Sequence, residues 1–183
     1  MPIFSISGEH GVGKSACAKA LAEFFSLEYV SSGMIFRKMA KEHNMTLAEF
    51  SDYVEKHPEI DKMIDDRLIE YAKKGNVVLD ARLSCWFTKD IADLKILLTA
   101  KMETRVQRIS KRDNVTYEEA YLETTSRENS ERFRFKKLYN INVDDLSIYD
   151  IIIRTDNFSL ESVQKMVITA AKEVLKSKRK TKQ

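Results

Sequence analysis

A short apolar run that leads directly into a glycine-spaced loop constrains the fold of this chain more than any other stretch. Residues 3–7 read Ile-Phe-Ser-Ile-Ser, and residues 8–15 read Gly-Glu-His-Gly-Val-Gly-Lys-Ser. The spacing G-x-x-x-x-G-K-S between a predicted strand and a helix-forming segment, residues 16–25, is that of a phosphate-binding P-loop. A plain glycine-rich turn would need neither Lys14 nor Ser15, so we expect a nucleoside triphosphate site here.

Each position of the loop has a chemical role in this interpretation. Glycines allow backbone N–H groups to approach phosphate oxygens, and the helix that follows presents the positive end of its dipole. Lys14 can reach the β- and γ-phosphates, and the Ser15 hydroxyl can hold Mg²⁺. The side chain of His10 is interpreted as replaceable loop filler. The residues expected to surround the ATP phosphates in this loop are Gly8, Glu9, His10, Gly11, Val12, Gly13, Lys14, Ser15 and Ala16.

Bulk composition excludes several classes of protein. The 183 residues suffice for one domain, and 43% hydrophobic with 32% charged residues is typical of a soluble globular protein. A net charge of +3 is too small to indicate nucleic-acid binding. Neither a signal peptide nor a membrane span is recognisable, so we expect a cytoplasmic protein. Cys17 and Cys85 are predicted to be buried thiols. The basic residues 176–183 are predicted to form a frayed end; an arm that binds nucleic acid is the less favoured alternative.

Predicted strands alternate with predicted helices along the chain. After the first strand, apolar segments of strand type lie at residues 27–30, 76–80, 94–98 and 149–153. A last helix is predicted over about residues 160–175. This alternation indicates an α/β protein whose mostly parallel sheet is covered by helices on both faces. Ligands of such sheets bind outside the carboxyl ends of the strands.

Two long insertions interrupt the alternation. Residues 32–75, between the second and third strands, read as helices, with a capping box from Thr46 to Glu49 and with Pro58 placed to open the next helix. Residues 108–142 lie between the last two strands, and Thr116 begins a second capping box there. Insertions at the carboxyl edge of the sheet can hold an acceptor and close over bound phosphates.

Arginines are concentrated in the second insertion. An exposed charged helix face with pairs such as Arg127 with Glu131 would explain one such run. Phosphoryl transfer explains them better, because it requires charge compensation and exclusion of water. Asp80 ends a buried-type strand, where a Walker-B-like aspartate would lie. The pattern predicts a small-molecule kinase rather than a GTPase, since an N-K-x-D motif is absent; an ATP-driven assembly factor is the alternative from another class.

Further segments carry a family resemblance. Residues 31–37, Ser-Ser-Gly-Met-Ile-Phe-Arg, are similar to the S-G-x-I-F-R segment of nucleoside monophosphate kinases. Residues 80–83, Asp-Ala-Arg-Leu, resemble the D-G-R-L of the same family. The stretch 127–139, followed by Ser-Ile-Tyr-Asp at 147–150, resembles the archaeal type of cytidylate kinase. The resemblance covers essentially the whole chain.

The resemblance implies transfer of the ATP γ-phosphate to CMP or dCMP, with Mg²⁺. We expect a monomer that requires neither a membrane nor nucleic acid. It implies the P-loop nucleoside monophosphate kinase fold, a five-stranded parallel sheet flanked by helices. The implied parts of this single domain are a core of residues 1–31, 76–107 and 143–183, an NMP-binding insertion at 32–75 and a lid at 108–142.

Roles for single residues follow from the same resemblance. The implied catalytic residues are Lys14, Arg127, Arg132 and Arg134. The implied acceptor-binding residues are Ser32, Arg37, Arg82 and Glu131, with Arg37 as a bidentate clamp on phosphate. Ser15 would bind Mg²⁺ directly and Asp80 through water. Arg105 and Arg108 would pack on the adenine or contact the ATP phosphates.

The sequence departs from the family pattern around the acceptor. Ala81 and Asn140 stand where glycine is usual, and Met34 stands where an acidic residue is common. A methyl group at Ala81 narrows the approach of the acceptor to the backbone. UMP and AMP therefore remain alternative acceptors on the same scaffold.

Overall fold

Five parallel strands form the centre of the computed structural model, which describes residues 1–57 and 59–180. Each strand lies within one or two residues of its predicted bounds, and the order across the sheet is β2-β3-β1-β4-β5. All neighbouring pairs are parallel, so the predicted α/β fold class is confirmed. The strands are β1 (Ile3–Gly8), β2 (Glu28–Ser31), β3 (Val77–Asp80), β4 (Leu94–Thr99) and β5 (Ile151–Arg154).

Helices connect the strands and cover both faces of the sheet. Both predicted capping boxes are confirmed, with Thr46 and Thr116 each accepting from the backbone of the glutamate three residues later. Pro58, predicted to open a helix, lies outside the described residues. Among the described residues, the helices are α1 (Lys14–Phe25), α2 (Ser32–Glu42), α3 (Leu47–Lys56), α4 (Glu59–Lys74), α5 (Ser84–Phe87), α6 (Met102–Asp113), α7 (Tyr117–Tyr139) and α8 (Leu160–Lys180).

Alternate residues of each strand face two separate apolar layers. On one face, Phe4 and Ile6 of β1 pack with α1 and α8 in a fully buried cluster. On the other face, Val77 and Leu79 of β3 pack with buried side chains of α2, α3 and α4, among them Phe50. The period of two in a strand produces this division. The helices of residues 32–75 therefore share a core with β2 and β3 and do not form a separate unit.

The register of the sheet gathers polar residues at one edge. Asp80, the last residue of β3, is paired with Ile6 of β1 on one side and with Ser31 of β2 on the other. Gly8 ends β1 at the same edge, next to Leu98 of β4. A Cβ on Gly8 would lie 2.3 Å from the Leu98 carbonyl oxygen, so only glycine fits at this position. The P-loop thus leaves the sheet from its central strand.

Helix α7 is packed in two different ways along its length. Its first half meets α6 in a small apolar cluster formed by Val106, Ile109 and Ala120. Its second half approaches the rest of the protein through polar and aromatic side chains. The helix ends at Asn140, whose φ of 54° is left-handed. Asparagine tolerates this conformation, which explains why it can replace the usual glycine.

The carboxyl-terminal segment differs from its prediction. Helix α8 continues to Lys180, so the prediction of a frayed end from residue 176 is wrong for the described part. Lys176 pairs with Glu173 on the same helix, and Lys178 pairs with Asp93 before β4. These ion pairs favour continuation of the helix across residues that otherwise carry like charges. No helix within residues 1–57 and 59–180 is both long and apolar enough to cross a membrane.

Candidate active site

The P-loop wraps the amino-terminal end of α1. Gly13 is the N-cap and makes no side-chain hydrogen bond, so the first N–H groups of α1 are available to an anion. The ammonium of Lys14 folds back and donates to the carbonyl oxygen of Glu9 at 2.8 Å. Burial lowers the pKa of Lys14 to about 8, although the carboxylate of Asp80 opposes the shift. An amine held this way would gain charge stabilisation from phosphate oxygens.

The side-chain oxygens of Ser15 and Asp80 lie in contact at the start of α1. The Ser15 hydroxyl donates to Oδ2 of Asp80 at 2.6 Å, and the Tyr29 hydroxyl donates to the same oxygen at 2.9 Å. Hydroxyl and carboxylate oxygens, completed by phosphate and water, are the donor set that suits Mg²⁺. Tyr29 orients Asp80 from β2, a role that the sequence does not reveal because a tyrosine in a strand carries no distinctive signal.

A cavity of about 540 Å³ opens between the P-loop and the end of β5. Arg108 borders it and is held by Thr155, donating to the hydroxyl and to the carbonyl oxygen at 2.9 Å each. Its lining is completed by His10, Gly11, Val12, Gly13, Lys14, Ser15, Ala16, Cys17, Ile109, Arg112, Thr155, Phe158, Leu160 and Val163. Cys17 is a buried free thiol there, and burial raises its pKa to about 11. The cavity combines the phosphate loop with apolar walls that can hold a base.

Arg105 lies elsewhere than the sequence analysis expected. Only 3% of its surface is exposed, and it does not line the cavity. Its guanidinium donates to Glu128 of α7 at 2.6 Å and to the carbonyl oxygen of His10 at 3.2 Å. The structure therefore places Arg105 as a link between the P-loop and α7. A guanidinium buried away from water is stabilised by pairing with a carboxylate, here that of Glu128.

Glu131 is the centre of an ionic cluster that joins α7 to the P-loop and to β3. Its carboxylate contacts Nε2 of His10 at 2.9 Å, Nε of Arg82 at 3.1 Å and Nε of Arg127 at 3.2 Å. Burial disfavours the ionised form, but the hydrogen bond from His10 and the positive partners outweigh it and hold the pKa of Glu131 at about 2. The side chain of His10 therefore belongs to this cluster, a contact that its interpretation as loop filler did not include.

The remaining arginines and the serine of the predicted site are not all brought together. Arg132 pairs with the exposed Asp144, and both line a second cavity, of about 240 Å³, with Arg82 and the P-loop residue Glu9. Arg37 is exposed on α2, and no described residue forms an ion pair or hydrogen bond with it. Ser32 begins α2, while the neighbouring Ser31 caps the helix by accepting from the backbone of residue 34 at 3.1 Å. Arg37 is therefore free to bind an anion at the carboxyl edge of β2.

A second contact joins α7 to α4. The Tyr139 hydroxyl donates to Oδ2 of Asp65 at 2.6 Å, and its ring lies 5.2 Å from that of Phe87. Nε of Arg134 lies 3.3 Å from Oδ2 of Asp61, one turn earlier on α4. The predicted acceptor and lid segments thus touch in this structure. Nothing in the sequence indicated these partners, because each is an ordinary polar residue on an amphipathic helix.

We expect Asp65→Asn to stabilise the protein increasingly as the pH rises from 5 to 8. Burial raises the pKa of Asp65 to about 7, partly opposed by the hydrogen bond from Tyr139. The folded protein therefore holds this proton more tightly than the unfolded chain does. The stability that the carboxyl contributes is complete below about pH 4 and is lost as the pH passes 7. Urea unfolding should show the advantage of the variant growing by about 2–3 kcal/mol between pH 5 and 8.

The matched control for this experiment is Asp90→Asn, which changes an exposed carboxyl with no ion pair among the described residues. Its effect on the free energy of unfolding should be the same at both pH values. A difference between Asp65→Asn and the unchanged protein that does not depend on pH would contradict the prediction.

The sheet order, the P-loop on its central strand and the cluster of arginines at its carboxyl edge define an α/β kinase of the P-loop class. Within that class, the chain belongs to the cytidylate kinase-like family, whose sequence model matches residues 3–157.

Relatives named cytidylate kinase span nearly the whole chain. The cytidylate kinase of Pyrococcus horikoshii is 46% identical over 168 residues, which cover 92% of this chain and 87% of that protein. The cytidylate kinase of Methanocaldococcus jannaschii is 46% identical over 171 residues, which cover 92% of this chain and 96% of that protein. Relatives at this level of identity confirm the family that residues 31–37, 80–83 and 127–139 had indicated.

Solved structures resemble the fold at low sequence identity. Shikimate kinase from Bacteroides thetaiotaomicron superposes with a TM-score of 0.63 at 14% identity, covering 96% of this chain and 98% of that one. An uncharacterised protein from Eubacterium ventriosum has a TM-score of 0.68 at 18% identity, covering 93% and 98%. These likenesses support the P-loop kinase architecture and carry no argument about the substrate.

Proposed function

We propose that this protein transfers the γ-phosphoryl group of ATP to CMP or dCMP, producing ADP and the nucleoside diphosphate. The observation that carries the proposal is the Glu131 cluster, which joins the P-loop to Arg82 directly after β3 and to Arg127 on α7. A hydrolytic switch has no need of such a link between the triphosphate loop and an arginine-rich second site. The two relatives named cytidylate kinase supply the acceptor.

The donor side of the reaction is assigned to the P-loop. Backbone N–H groups of residues 8–16 hold the ATP phosphates, and Lys14 exchanges its bond with the Glu9 carbonyl oxygen for phosphate oxygens. Ser15 would hold Mg²⁺ directly and Asp80 through water, and the ion would neutralise charge on the β- and γ-phosphates when bound. Arg108 borders the cavity in which the adenine would lie.

The acceptor side is assigned to the carboxyl ends of β2 and β3. Arg37, which has no ionic partner among the described residues, would clamp the phosphate of the acceptor, with Ser32 beside it. Arg82 would contact the same phosphate, and Glu131 would either contact the acceptor or orient the arginines. We propose residues 32–75 as the acceptor-binding segment on this basis.

The second half of α7 is assigned as the closing element over both substrates. It is held to the body by ion pairs and hydrogen bonds rather than by an apolar core, so it can exchange these partners for phosphates. Arg127 and Arg134 would stabilise the transferring group, while Arg132 would have to leave Asp144 before it could contribute. We propose residues 108–142 as a lid, although their first boundary falls within α6.

The transfer itself requires no general base. An oxygen of the acceptor phosphate is already anionic and forms the new bond to the γ-phosphorus while the bond to the β-phosphate oxygen breaks. ADP leaves with the electron pair of that bond. The protein aligns the two phosphates, compensates charge on the transferring group and excludes water.

The proposal is tested by measuring ADP release with CMP, dCMP, UMP and AMP, each with ATP and Mg²⁺. CMP or dCMP should give the highest kcat/KM, because the acceptor is the property that the named relatives share. An AMP rate several times that of CMP would overturn the assignment of the acceptor. ATP turnover that needs no acceptor, or that RNA stimulates, would instead favour the assembly factor.

We also propose that the active species is a monomer, because every residue assigned to the donor and acceptor sites belongs to one chain, and that it acts in the cytoplasm. Size-exclusion chromatography with light scattering, at the protein concentration of the kinetic assay, measures the mass of that species. A stable dimer whose dissociation abolishes activity would contradict the proposal.

A further inference from the structure

His10 connects the P-loop to α7 through both its side chain and its backbone. Nε2 of the ring lies 2.9 and 3.0 Å from the two carboxylate oxygens of Glu131. The His10 backbone N–H donates to Glu128 at 3.3 Å, and its carbonyl oxygen accepts from Arg105 at 3.2 Å. A P-loop binds phosphates with backbone N–H groups and needs no imidazole at this position. The imidazole ring therefore has a role outside phosphate binding by the loop, and its partner is Glu131 of α7.

The protonation states determine the direction of this contact. Glu131 is ionised, so its oxygens only accept. Burial, together with the positive charges of Arg127 and Lys14, lowers the pKa of His10 despite the hydrogen bond to Glu131. The nitrogen that contacts an ionised carboxylate must carry a proton, whether the ring is neutral or charged, so Nε2 donates. His10 is thus a donor that shares Glu131 with two arginines.

We propose that His10 is a positioning residue of the phosphoryl transfer, which fixes the Glu131 carboxylate so that Arg82 and Arg127 are aligned for the acceptor phosphate. The inference rests on the function proposed above. Without the imidazole, the Glu131 carboxylate can rotate towards Arg82 or towards Arg127. Both arginines attract it, and both have long side chains that can follow it. Misalignment at the acceptor side would then follow from a change in the donor loop.

The test compares His10→Ala with His10→Gln. We expect the alanine variant to raise the KM for CMP about tenfold while the KM for ATP changes less than about twofold. Glutamine carries an amide nitrogen at a similar reach, which donates a hydrogen bond but does not titrate, and it should recover most of the loss. The matched control is His43→Gln, an exposed histidine at the end of α2 with ring contacts only to Phe50 and Tyr53 among the described residues.

A double-mutant cycle shows whether His10 acts through Glu131. In a Glu131→Gln background, the further change His10→Ala should have less than about a twofold effect on the KM for CMP. An unchanged KM for CMP in His10→Ala, a loss that glutamine does not recover, or a full additional loss in the double variant would each overturn the inference. A change confined to the KM for ATP would do the same, since it would indicate a role in the loop alone.

Failure of this inference is distinguishable from failure of the proposed function. An unchanged protein that does not phosphorylate CMP contradicts the function. The link between His10 and Glu131 is measured separately by carboxyl NMR of the protein without nucleotide, where His10→Ala should raise the pKa of Glu131 because a donor to the charged form is lost. An unshifted Glu131 resonance would overturn the inference whichever acceptor the enzyme uses.

Discussion

Replacement of Lys14 with methionine is expected to lower the kcat for CMP phosphorylation by about 10³-fold. Methionine preserves the apolar stem but removes the charge that compensates the β- and γ-phosphates during transfer. In the structure this ammonium is buried against the Glu9 carbonyl oxygen, and its pKa is about 8. Phosphate oxygens favour the charged form, so the lysine delivers a full positive charge where negative charge develops. Steady-state kinetics with saturating ATP measures the loss.

The matched control for Lys14 is Lys165→Met, an exposed lysine of α8 that pairs with Glu161. This substitution also removes one positive charge, but at a position 151 residues after Lys14 in the chain. It should leave kcat unchanged within about twofold. The affinity of Lys14→Met for a non-hydrolysable ATP analogue, compared with that of the unchanged protein, measures the contribution of Lys14 to binding in the ground state. A loss of kcat below about tenfold would exclude a role for Lys14 in the transition state.

Arg134→Ala should lower kcat by about 10²–10³-fold while it weakens ATP binding by less than about threefold. Arg134 lies near Asp61 at 3.3 Å, but its Nε is buried and makes no hydrogen bond with any described residue. A guanidinium with this unsatisfied donor gives up its ion pair with Asp61 when it moves onto phosphate oxygens, and it gains hydrogen bonds there. Its contribution would then appear only in the transition state.

Two further variants make the Arg134 experiment specific. Arg134→Lys keeps the charge but not the planar, bidentate donor set, and should recover little of the lost activity. Arg154→Ala removes an exposed arginine that pairs with Asp156, and serves as the control for charge alone. Equal losses of kcat and of ATP affinity in Arg134→Ala would contradict a role confined to the transition state.

The architecture was predictable because its signals are local. Alternating apolar segments indicated the five strands, and a threonine followed by glutamate three residues later located the starts of α3 and α7. The P-loop identified the central strand, since this loop requires a strand before it and a helix after it. Helix ends were less predictable, as α8 shows, because ion pairs with Glu173 and Asp93 extend it to Lys180.

The candidate site was predictable only where a motif carries it. Lys14, Ser15 and Asp80 are recognisable by spacing, and Arg37 and Arg82 by family resemblance. Tyr29, Asp61, Asp65 and Tyr139 were not assigned a role, and His10 was assigned only to the loop around the ATP phosphates. The side-chain contacts of all five are made with partners 51 to 121 residues away in the chain. Arg105 was assigned to the ATP site, whereas its buried pairing with Glu128 links the loop to α7.

By itself, the sequence determined that a P-loop follows the first strand, and it thereby predicted the triphosphate site, since backbone geometry in eight consecutive residues suffices for that chemistry. Only the tertiary structure decided which side chains share the Glu131 carboxylate and which helix meets α4. Those contacts are set by how α7 crosses the sheet edge, and the crossing depends on the packing of α6 and α7 rather than on any local pattern. A buried carboxylate such as that of Glu131 is stable only beside positively charged or hydrogen-bonding partners. The apolar contacts that position α7 therefore also determine which side chains Glu131 can pair with.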